Sequence, residues 1–148
     1  MKVGIAADHG GFELKQVIHP FLASAGFNVT DFGAFVLDDK DDYPDYVIPL
    51  AKAVSAKEVH RGIAFCGSGV GACIVANKIK GVRACLINDH FSAHQGVEDD
   101  DMNLLCIGGR VTGNAAAKEL IQAFLESTFS SEERHVRRLK KVMSLEEK

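Results

Sequence analysis

The sequence predicts an α/β fold in which a parallel sheet is covered by helices on both faces. Short apolar segments rich in β-branched residues alternate along the chain with longer segments of helical character. The apolar segments are hydrophobic at successive rather than alternate positions, as in strands that are buried on both faces. With 148 residues, 47% of them hydrophobic, we expect one domain spanning residues 1–148.

Each element follows from this alternation. The predicted strands are KVGIAA near 2–7, FNVTDF near 27–32, RGIAF near 61–65, VRACLI near 82–87 and LLCI near 104–107. The intervening segments predict helices near 11–25, 45–57, 69–78, 90–98 and 113–127, with a C-terminal helix near 132–146. The result is a three-layer, Rossmann-like α/β/α sandwich with a five-stranded parallel sheet. Ligands bind such sheets at the carboxyl ends of the strands, which here carry AADHGG, CGSGVG, NDH and GGRVTG.

Composition excludes several classes of partner. The net charge of -3 gives no general attraction to nucleic acid or to an anionic membrane. No run approaches about 18 apolar residues, so we expect a cytoplasmic protein without a membrane span. The cysteines form no CxxC pair, which argues against a disulfide scaffold and against a zinc cluster. We expect Cys73, Cys85 and Cys106 to be small core hydrophobes.

The stretch CGSGVGA places Cys66 between a strand and a glycine-rich helix start. Backbone N–H groups there favour an anion, and they also favour the thiolate of Cys66. A buried structural thiol is the alternative. Residues 67–72 also fit G-x-G-x-x-A, with Asp89 about twenty residues further on, so a nucleotide-binding regulatory module remains a rival. That motif normally follows the first strand, where this chain has DHGG.

Other polar groups leave alternatives open. Asp8 and His9 form a pair that Asp89 and His90 repeat, and two such pairs at one sheet edge could bind a hydrolytic metal. The acidic loop over residues 33–45 is either a lid or a solvated excursion. Two arginines one helical turn apart, Arg134 and Arg138, are suited to gripping a phosphate.

Together the motifs resemble a known family. AADHGGFELK, DYPDY, CGSGVG with ANK, GVRA, MNLLCIGGRVTG and ERHVRRL occur in the order and spacing of the type B ribose-5-phosphate isomerases, which include galactose- and allose-6-phosphate isomerases. The resemblance covers essentially the whole chain. It implies an aldose–ketose isomerase of phosphorylated sugars that works through a cis-enediol without metal or cofactor. The implied assembly is a homodimer, or a dimer of dimers, with active sites shared between subunits.

The resemblance also implies residue roles. Cys66 would move the proton between C1 and C2, and Ala72 leaves no alternative carboxylate base of the kind found in members that lack this cysteine. The carbonyl and the enediolate would be held by Ser68 and by the loop of Gly67, Gly69, Val70 and Gly71. Asp8 would contact sugar hydroxyls and Tyr43 would line the pocket. The phosphate would be bound by His9 and Arg110, with Arg134 and Arg138 from the partner.

One departure bears on the substrate. Family members acting on cyclic sugars carry a His-Asn pair, with the histidine in ring opening, where this chain has Asp99 and Asp100; Asn103 is retained. We expect Asp99 to substitute in catalysis and Asp100 and Asn103 to contact the substrate. Alternatively His90 or His94 reaches in. A third possibility is a substrate that needs no ring opening. Ribose 5-phosphate is the leading substrate, with erythrulose 4-phosphate and erythrose 4-phosphate as the alternative pair.

Overall fold

The five predicted strands form one parallel sheet. The structure, a computed structural model, describes residues 1–147. The strands are β1 (Lys2–Ala7), β2 (Asn28–Asp31), β3 (Arg61–Cys66), β4 (Ala84–Leu86) and β5 (Leu104–Gly108). They are ordered β2-β1-β3-β5-β4, and every neighbouring pair is parallel. The predicted Rossmann-like sheet is therefore confirmed.

Six helices connect and cover the strands. They are α1 (Phe12–Ser24), α2 (Tyr43–Ser55), α3 (Val70–Ala76), α4 (His90–Asp100), α5 (Asn114–Glu126) and α6 (Glu133–Met143), and a 3-10 turn (Ser144–Glu147) follows. Helix α2 begins two residues before its predicted start because Pro44 occupies its first turn, where a missing N–H costs nothing. The predicted helix over 132–146 ends as an α-helix at Met143. Among the described residues, no helix has both the length and the apolar character needed to cross a bilayer.

The two faces of the sheet bury side chains of different size. Alternate strand residues point to opposite faces, so Ile5 and Ile63 belong to the core under α1, α4 and α5. Their neighbours Ala6 and Ala64 belong to the core under α2 and α3, which Cys66 also joins. Large side chains thus fill one face, and small ones let α2 and α3 approach the other.

A buried ion pair anchors the loop that follows β2. Lys15 on α1 has no exposed surface, and its Nζ donates to both oxygens of Asp31 at 2.7 and 2.8 Å. The same ammonium donates to the carbonyl oxygen of Ala34 at 2.7 Å. A buried lysine is rare unless it is paired in this way. The pair fixes the start of the loop over residues 32–42.

The cysteines do not share one environment. Cys106 is buried and Cys73 is partly buried, as expected of apolar thiols, but Cys85 is exposed. The prediction was wrong for Cys85 because β4 lies at the edge of the sheet, where Cys85 lines an open cleft beside α6 instead of packing in the core.

Candidate active site

Three strand ends meet at the carboxyl edge of the sheet. Backbone hydrogen bonds lock the turns together: the N–H of Asp8 donates to the carbonyl of Phe65 at 3.3 Å, and that of Gly109 donates to the carbonyl of Cys66 at 2.8 Å. Each bond joins the turn after one strand to the end of another. The edge therefore forms one continuous surface of backbone.

Glycines allow these turns to touch. A Cβ atom on Gly10 would lie 2.7 Å from the nitrogen of Gly67, and one on Gly109 would lie 2.6 Å from the oxygen of Gly10. A Cβ on Gly108 would lie 2.7 Å from the carbonyl carbon of Ser68. Each distance is too short for a side chain, so the glycines are required by close approach.

Cys66 lies at the end of β3, beneath the glycine loop. Its side chain is only 4% exposed, and its Sγ accepts a hydrogen bond from the N–H of Gly69 at 3.1 Å. Gly69 has a φ of 83°, which a residue with a side chain rarely adopts. The glycine loop thus directs a backbone donor at the sulfur. The thiol is thus buried, as in the structural interpretation, but it also lies at the edge where parallel sheets bind ligands.

The loop after Cys66 is flanked by an aromatic wall. Ser68 is exposed, and its Oγ accepts from the N–H of Val70 at 3.3 Å. Gly71 lies so close to Tyr43 that an added Cβ would be 2.8 to 3.0 Å from ring carbons. The structure therefore brings these predicted residues together beside Cys66.

A cavity of about 250 Å³ adjoins this loop. It is bordered by His9, Gly10, Glu13, Leu14, Leu37, Asp39, Gly109 and Arg110. The guanidinium of Arg110 reaches back over Gly67, whose Cβ would lie 3.6 Å from it. The guanidinium of Arg110 and the imidazole of His9 suit an anion, although Glu13 and Asp39 also lie on the border of the cavity.

Asp41 controls the charge of His9. Its Oδ1 accepts from the backbone N–H of His9 at 3.0 Å and lies 2.6 Å from Nδ1 of the ring. This hydrogen bond is the main reason that the pKa of His9 is raised above its ordinary value, which favours the imidazolium form. Asp41 is itself 5% exposed, so water competes little for the contact.

Asp8 lies beside His9 and Asp41. It is buried, and its Oδ1 accepts from the N–H of Gly11 at 3.1 Å. Burial raises the pKa of its carboxyl group. Asp8, His9 and Asp41 place three possible metal-ligand atoms within 4.8 Å of one another. Because Nδ1 of His9 and Oδ1 of Asp41 already satisfy each other, we interpret the group as a hydrogen-bonded cluster.

A second group of predicted residues lies at the opposite edge of the sheet. Helix α4 ends at Asp100 and β5 begins at Leu104, so Asp99, Asp100 and Asn103 lie at the amino ends of the strands. They are therefore separated from Cys66 of the same chain.

The structure does not support the predicted substrate contact of Asn103. Its Oδ1 accepts from the N–H of Arg83 at 2.8 Å, and its Nδ2 donates to the carbonyl of Gly81 at 2.9 Å. The amide is thus engaged at both ends in holding the turn before β4.

Asp99 has the surroundings of a hydrogen-bond acceptor, which does not support its predicted role as a proton donor. Its Oδ1 lies 3.0 Å from Nδ1 of His135, and its Oδ2 accepts from Nε2 of Gln95 at 2.6 Å. The other proposed donors are placed elsewhere. Nδ1 of His94 lies 3.1 Å from Glu98, and His90 is exposed and borders residues of α5.

The two predicted phosphate-binding arginines lie near this second group of residues. Arg134 and Arg138 are both exposed on α6, and Nε of Arg134 lies 2.9 Å from the carboxylate of Glu132. Their helix packs beside α4, so the arginines lie with Asp99 and not with Cys66 of the same chain.

Sequence reasoning missed two residues that hold the site groups in place. Asp41 was only part of an acidic loop, and its contact with His9 spans 32 positions that no local pattern links. His135 was noted only as a neighbour of the arginines, yet it is 2% exposed. A histidine that falls on the apolar side of an otherwise charged helix is the signal that could have identified it.

Comparison with known proteins agrees with this geometry. The model of the family described as Ribose/Galactose Isomerase matches residues 3–142. The ribose-5-phosphate isomerase B of Escherichia coli is 36% identical over 147 residues, which cover 99% of this chain and 97% of that protein. The D-erythrulose-4-phosphate isomerase of Pectobacterium atrosepticum is 36% identical, covering 87% and 85%.

A solved structure shares the whole fold. The crystal structure of ribose-5-phosphate isomerase B from Mycoplasma genitalium with bound ribulose-5-phosphate has a TM-score of 0.94 and 36% sequence identity, and the match covers 99% of this chain and 97% of that one. The chain therefore belongs to the ribose/galactose isomerase family, as a sugar-phosphate isomerase of the ribose-5-phosphate isomerase B type.

Proposed function

We propose that the chain interconverts ribose 5-phosphate and ribulose 5-phosphate, with Cys66 as the base. The observation that carries this proposal is the hydrogen bond from the Gly69 N–H to Cys66 Sγ, beside a cavity bordered by His9 and Arg110. Proton abstraction next to a carbonyl needs a base and a set of fixed donors where negative charge develops. The edge of the sheet offers both within one loop.

The proposed reaction moves one proton between two carbons. The thiolate of Cys66 removes the proton from C2 of the open-chain aldose, the C2–H electrons form the C1–C2 double bond, and the carbonyl oxygen on C1 takes up a proton. The thiol then returns its proton to C1 while the hydroxyl on C2 loses one and becomes the ketone. Ser68 and the loop of residues 67–71 stabilise the oxygen on which charge develops. Asp8 contacts sugar hydroxyls and Tyr43 closes the wall.

The phosphate would occupy the cavity between His9 and Arg110. A guanidinium provides two N–H donors that match phosphate oxygens, and the hydrogen bond with Asp41 raises the pKa of His9, which favours its imidazolium form. This places the phosphate at one end of the site and Cys66 near the other. The sugar would then bridge the two.

The site would be completed by a second copy of the chain. Asp99, Asp100, Arg134 and Arg138 lie apart from Cys66 of their own chain, so they can serve catalysis only in a partner's site. In a twofold dimer, a Cys66→Ala chain paired with an Arg134→Ala chain has one damaged and one intact site. At a substrate concentration too low for either variant alone to turn over, random mixing of the two should therefore restore about a quarter of the wild-type activity. No recovery after exchange of subunits would contradict a shared site.

A second candidate substrate pair is erythrulose 4-phosphate and erythrose 4-phosphate. The oxygen of a tetrose 4-phosphate that would close a five-membered ring carries the phosphate, so no ring opening is needed. This alternative is favoured by Asp99, which stands where ring-opening relatives carry histidine, and by the likeness to the Pectobacterium enzyme. Assays of tetrose, pentose and hexose phosphates in both directions decide between the candidates. A kcat/KM for erythrose 4-phosphate well above that for ribose 5-phosphate would select the tetrose.

Cys66→Ala tests the catalytic role. It should lower kcat by at least about a thousandfold with little change in sugar-phosphate binding, because the base acts mainly in the transition state. Cys73→Ala is the matched control. The pKa of Cys73 is lowered to about 6, chiefly by a hydrogen bond with Cys106, so this thiol on α3 is the rival candidate for the base. Loss of turnover in the Cys73 variant and not in the Cys66 variant would refute the assignment.

The rival functions predict different measurements. A nucleotide-binding module would bind NAD or ATP tightly in calorimetry and show no isomerase activity. A metal-dependent hydrolase would lose its activity in chelator, whereas the proposed proton transfer uses only groups of the chain and should keep its rate.

A further inference from the structure

The contact between Asp99 and His135 links the end of one helix to the start of another. Asp99 is in the last turn of α4, and His135 is in the first turn of α6. A backbone bond runs beside this contact, from the N–H of Ser130 to the carbonyl of Glu98 at 2.9 Å. The segment that leads into α6 is thus attached to α4 at two points.

The two oxygens of Asp99 have different neighbours. Oδ1 lies 3.0 Å from Nδ1 of His135, which is close enough for an ion pair with a protonated imidazole. The second oxygen of Asp99 already accepts from Gln95 at 2.6 Å. Both oxygens of the carboxylate are thus engaged by neighbours, one on α4 and one on α6. Such a group is poorly placed to protonate a sugar ring oxygen.

His135 depends on this contact for its orientation. Its ring is 2% exposed, and within residues 1–147 its Nε2 atom has no hydrogen-bond partner. Ser130 Oγ lies 3.4 Å from the same Nδ1 and is hydrogen-bonded to it. Asp99, at 3.0 Å, is the nearer of these two polar groups and connects the ring to α4.

His135 lies between the two arginines in sequence. Arg134 precedes it and Arg138 follows three positions later, so the buried imidazole sets the rotation of α6 that directs both guanidinium groups outwards. A rotation of the helix about its axis would move both arginines together. Correct placement of distant binding groups is a recognised source of affinity and rate.

We propose that Asp99 and His135 form a positioning pair: the polar contact between the Asp99 carboxylate and the His135 imidazole fixes α6 on α4, and the fixed helix presents Arg134 and Arg138 to the substrate phosphate. Asp99 then acts through His135 and transfers no proton. This inference rests on the proposed function, in which the arginines complete the phosphate site of a second subunit. It assigns the aspartate to phosphate binding in place of ring opening.

Two substitutions at one position separate the roles. Asp99→Ala removes the side-chain oxygens, whereas Asp99→Asn keeps one oxygen to face His135 but cannot act as an acid. The side-chain amide of Gln95 can rotate so that its oxygen accepts from the new asparagine amide. For the positioning role, Asp99→Ala should raise KM for both ribose 5-phosphate and erythrose 4-phosphate by about tenfold while kcat stays within about threefold. Asp99→Asn should recover most of that loss. Glu119→Ala removes an exposed carboxylate from α5 and is the control for charge.

Binding of inorganic phosphate gives a readout that needs no turnover. Calorimetry should show phosphate binding weakened by about tenfold in Asp99→Ala and restored in Asp99→Asn. His135→Asn, which keeps a side-chain N–H donor, should bind phosphate better than His135→Leu, which has none. These comparisons remain meaningful if one variant is poorly folded.

Several results would overturn the inference. Equal losses of kcat in Asp99→Asn and Asp99→Ala on ribose 5-phosphate, with normal turnover of erythrose 4-phosphate, would identify Asp99 as a ring-opening acid. Unchanged phosphate binding in a folded Asp99→Ala protein would also refute the positioning role. If the wild type binds phosphate but isomerises none of the sugars, the proposed function fails, while the effect of Asp99 on phosphate binding is still read independently.

Discussion

Replacement of Lys15 by methionine should strongly destabilise the protein. Methionine keeps most of the volume of the side chain but removes the three hydrogen bonds from Nζ to the Asp31 oxygens and the Ala34 carbonyl. Removing one partner of a buried ion pair costs about 3 to 5 kcal/mol, because the remaining charge is left uncompensated. Asp31 keeps 19% of its side-chain surface exposed, so water relieves part of this cost and the lower value is expected.

The assay is urea denaturation at a fixed protein concentration. A loss of about 3 kcal/mol is a large share of a typical unfolding free energy of about 5 to 15 kcal/mol, and it should lower the melting temperature by about 10 °C. Lys52→Met, on the exposed side of α2, is the matched control and should change stability by less than about 0.5 kcal/mol. The Lys15→Met, Asp31→Asn double variant should regain much of the loss, because it leaves no unpaired charge. A loss below about 1 kcal/mol in Lys15→Met would refute the reasoning.

Two further predictions concern the site. Asp41→Asn should change the pH dependence of substrate binding. Asp41 raises the pKa of His9, so the imidazolium and the phosphate contact proposed for it are present at low pH and lost as pH rises through that raised value. In the variant, KM should begin to rise at a lower pH than in the wild type. An unchanged pH profile of KM would show that Asp41 does not set the charge of His9. Ionisation of the substrate phosphate affects both proteins equally and therefore cancels in the comparison. Gly71→Ala should lower kcat/KM by about tenfold, because its Cβ would lie 2.8 Å from the Tyr43 ring and would push the wall of the site outwards. Gly113→Ala, whose Cβ meets nothing within 4 Å, is the control, and equal activity of the two variants would contradict this account.

Much of the fold could be predicted because its signals are local. The apolar runs located all five strands, and the turns between them indicated the helices. The bounds of the edge strand β4 were predicted least accurately: the prediction was 82–87, and the strand spans Ala84–Leu86. Arg83 donates its N–H to the Asn103 side chain and not to a neighbouring strand, so pairing begins later than the apolar run. The apolar pattern of the sequence does not reveal that a side chain replaces a neighbouring strand as the acceptor of this N–H.

The candidate site likewise has one part that local sequence predicts and another part that depends on long-range contacts. Cys66, the glycine loop and the Asp8-His9 turn were found because each lies at the end of a predicted strand. The contacts of Asp41 with His9 and of His135 with Asp99 could not be predicted, since they join residues that are far apart in sequence. The departure at Asp99 was visible in the sequence, but its meaning depends on the neighbours that the fold provides.

The contacts among Gly10, Gly67, Gly108 and Gly109 limit how this enzyme can diverge. This surface of the site is made of main chain, so its N–H donors do not depend on the identity of the side chains. A substitution at these glycines would change the donors only by forcing the turns apart. New sugar preferences would then arise at side chains around this surface, such as Tyr43, or on the surface that the proposed second subunit would contribute. Attempts to engineer specificity should leave these glycines intact and randomise the side chains around them.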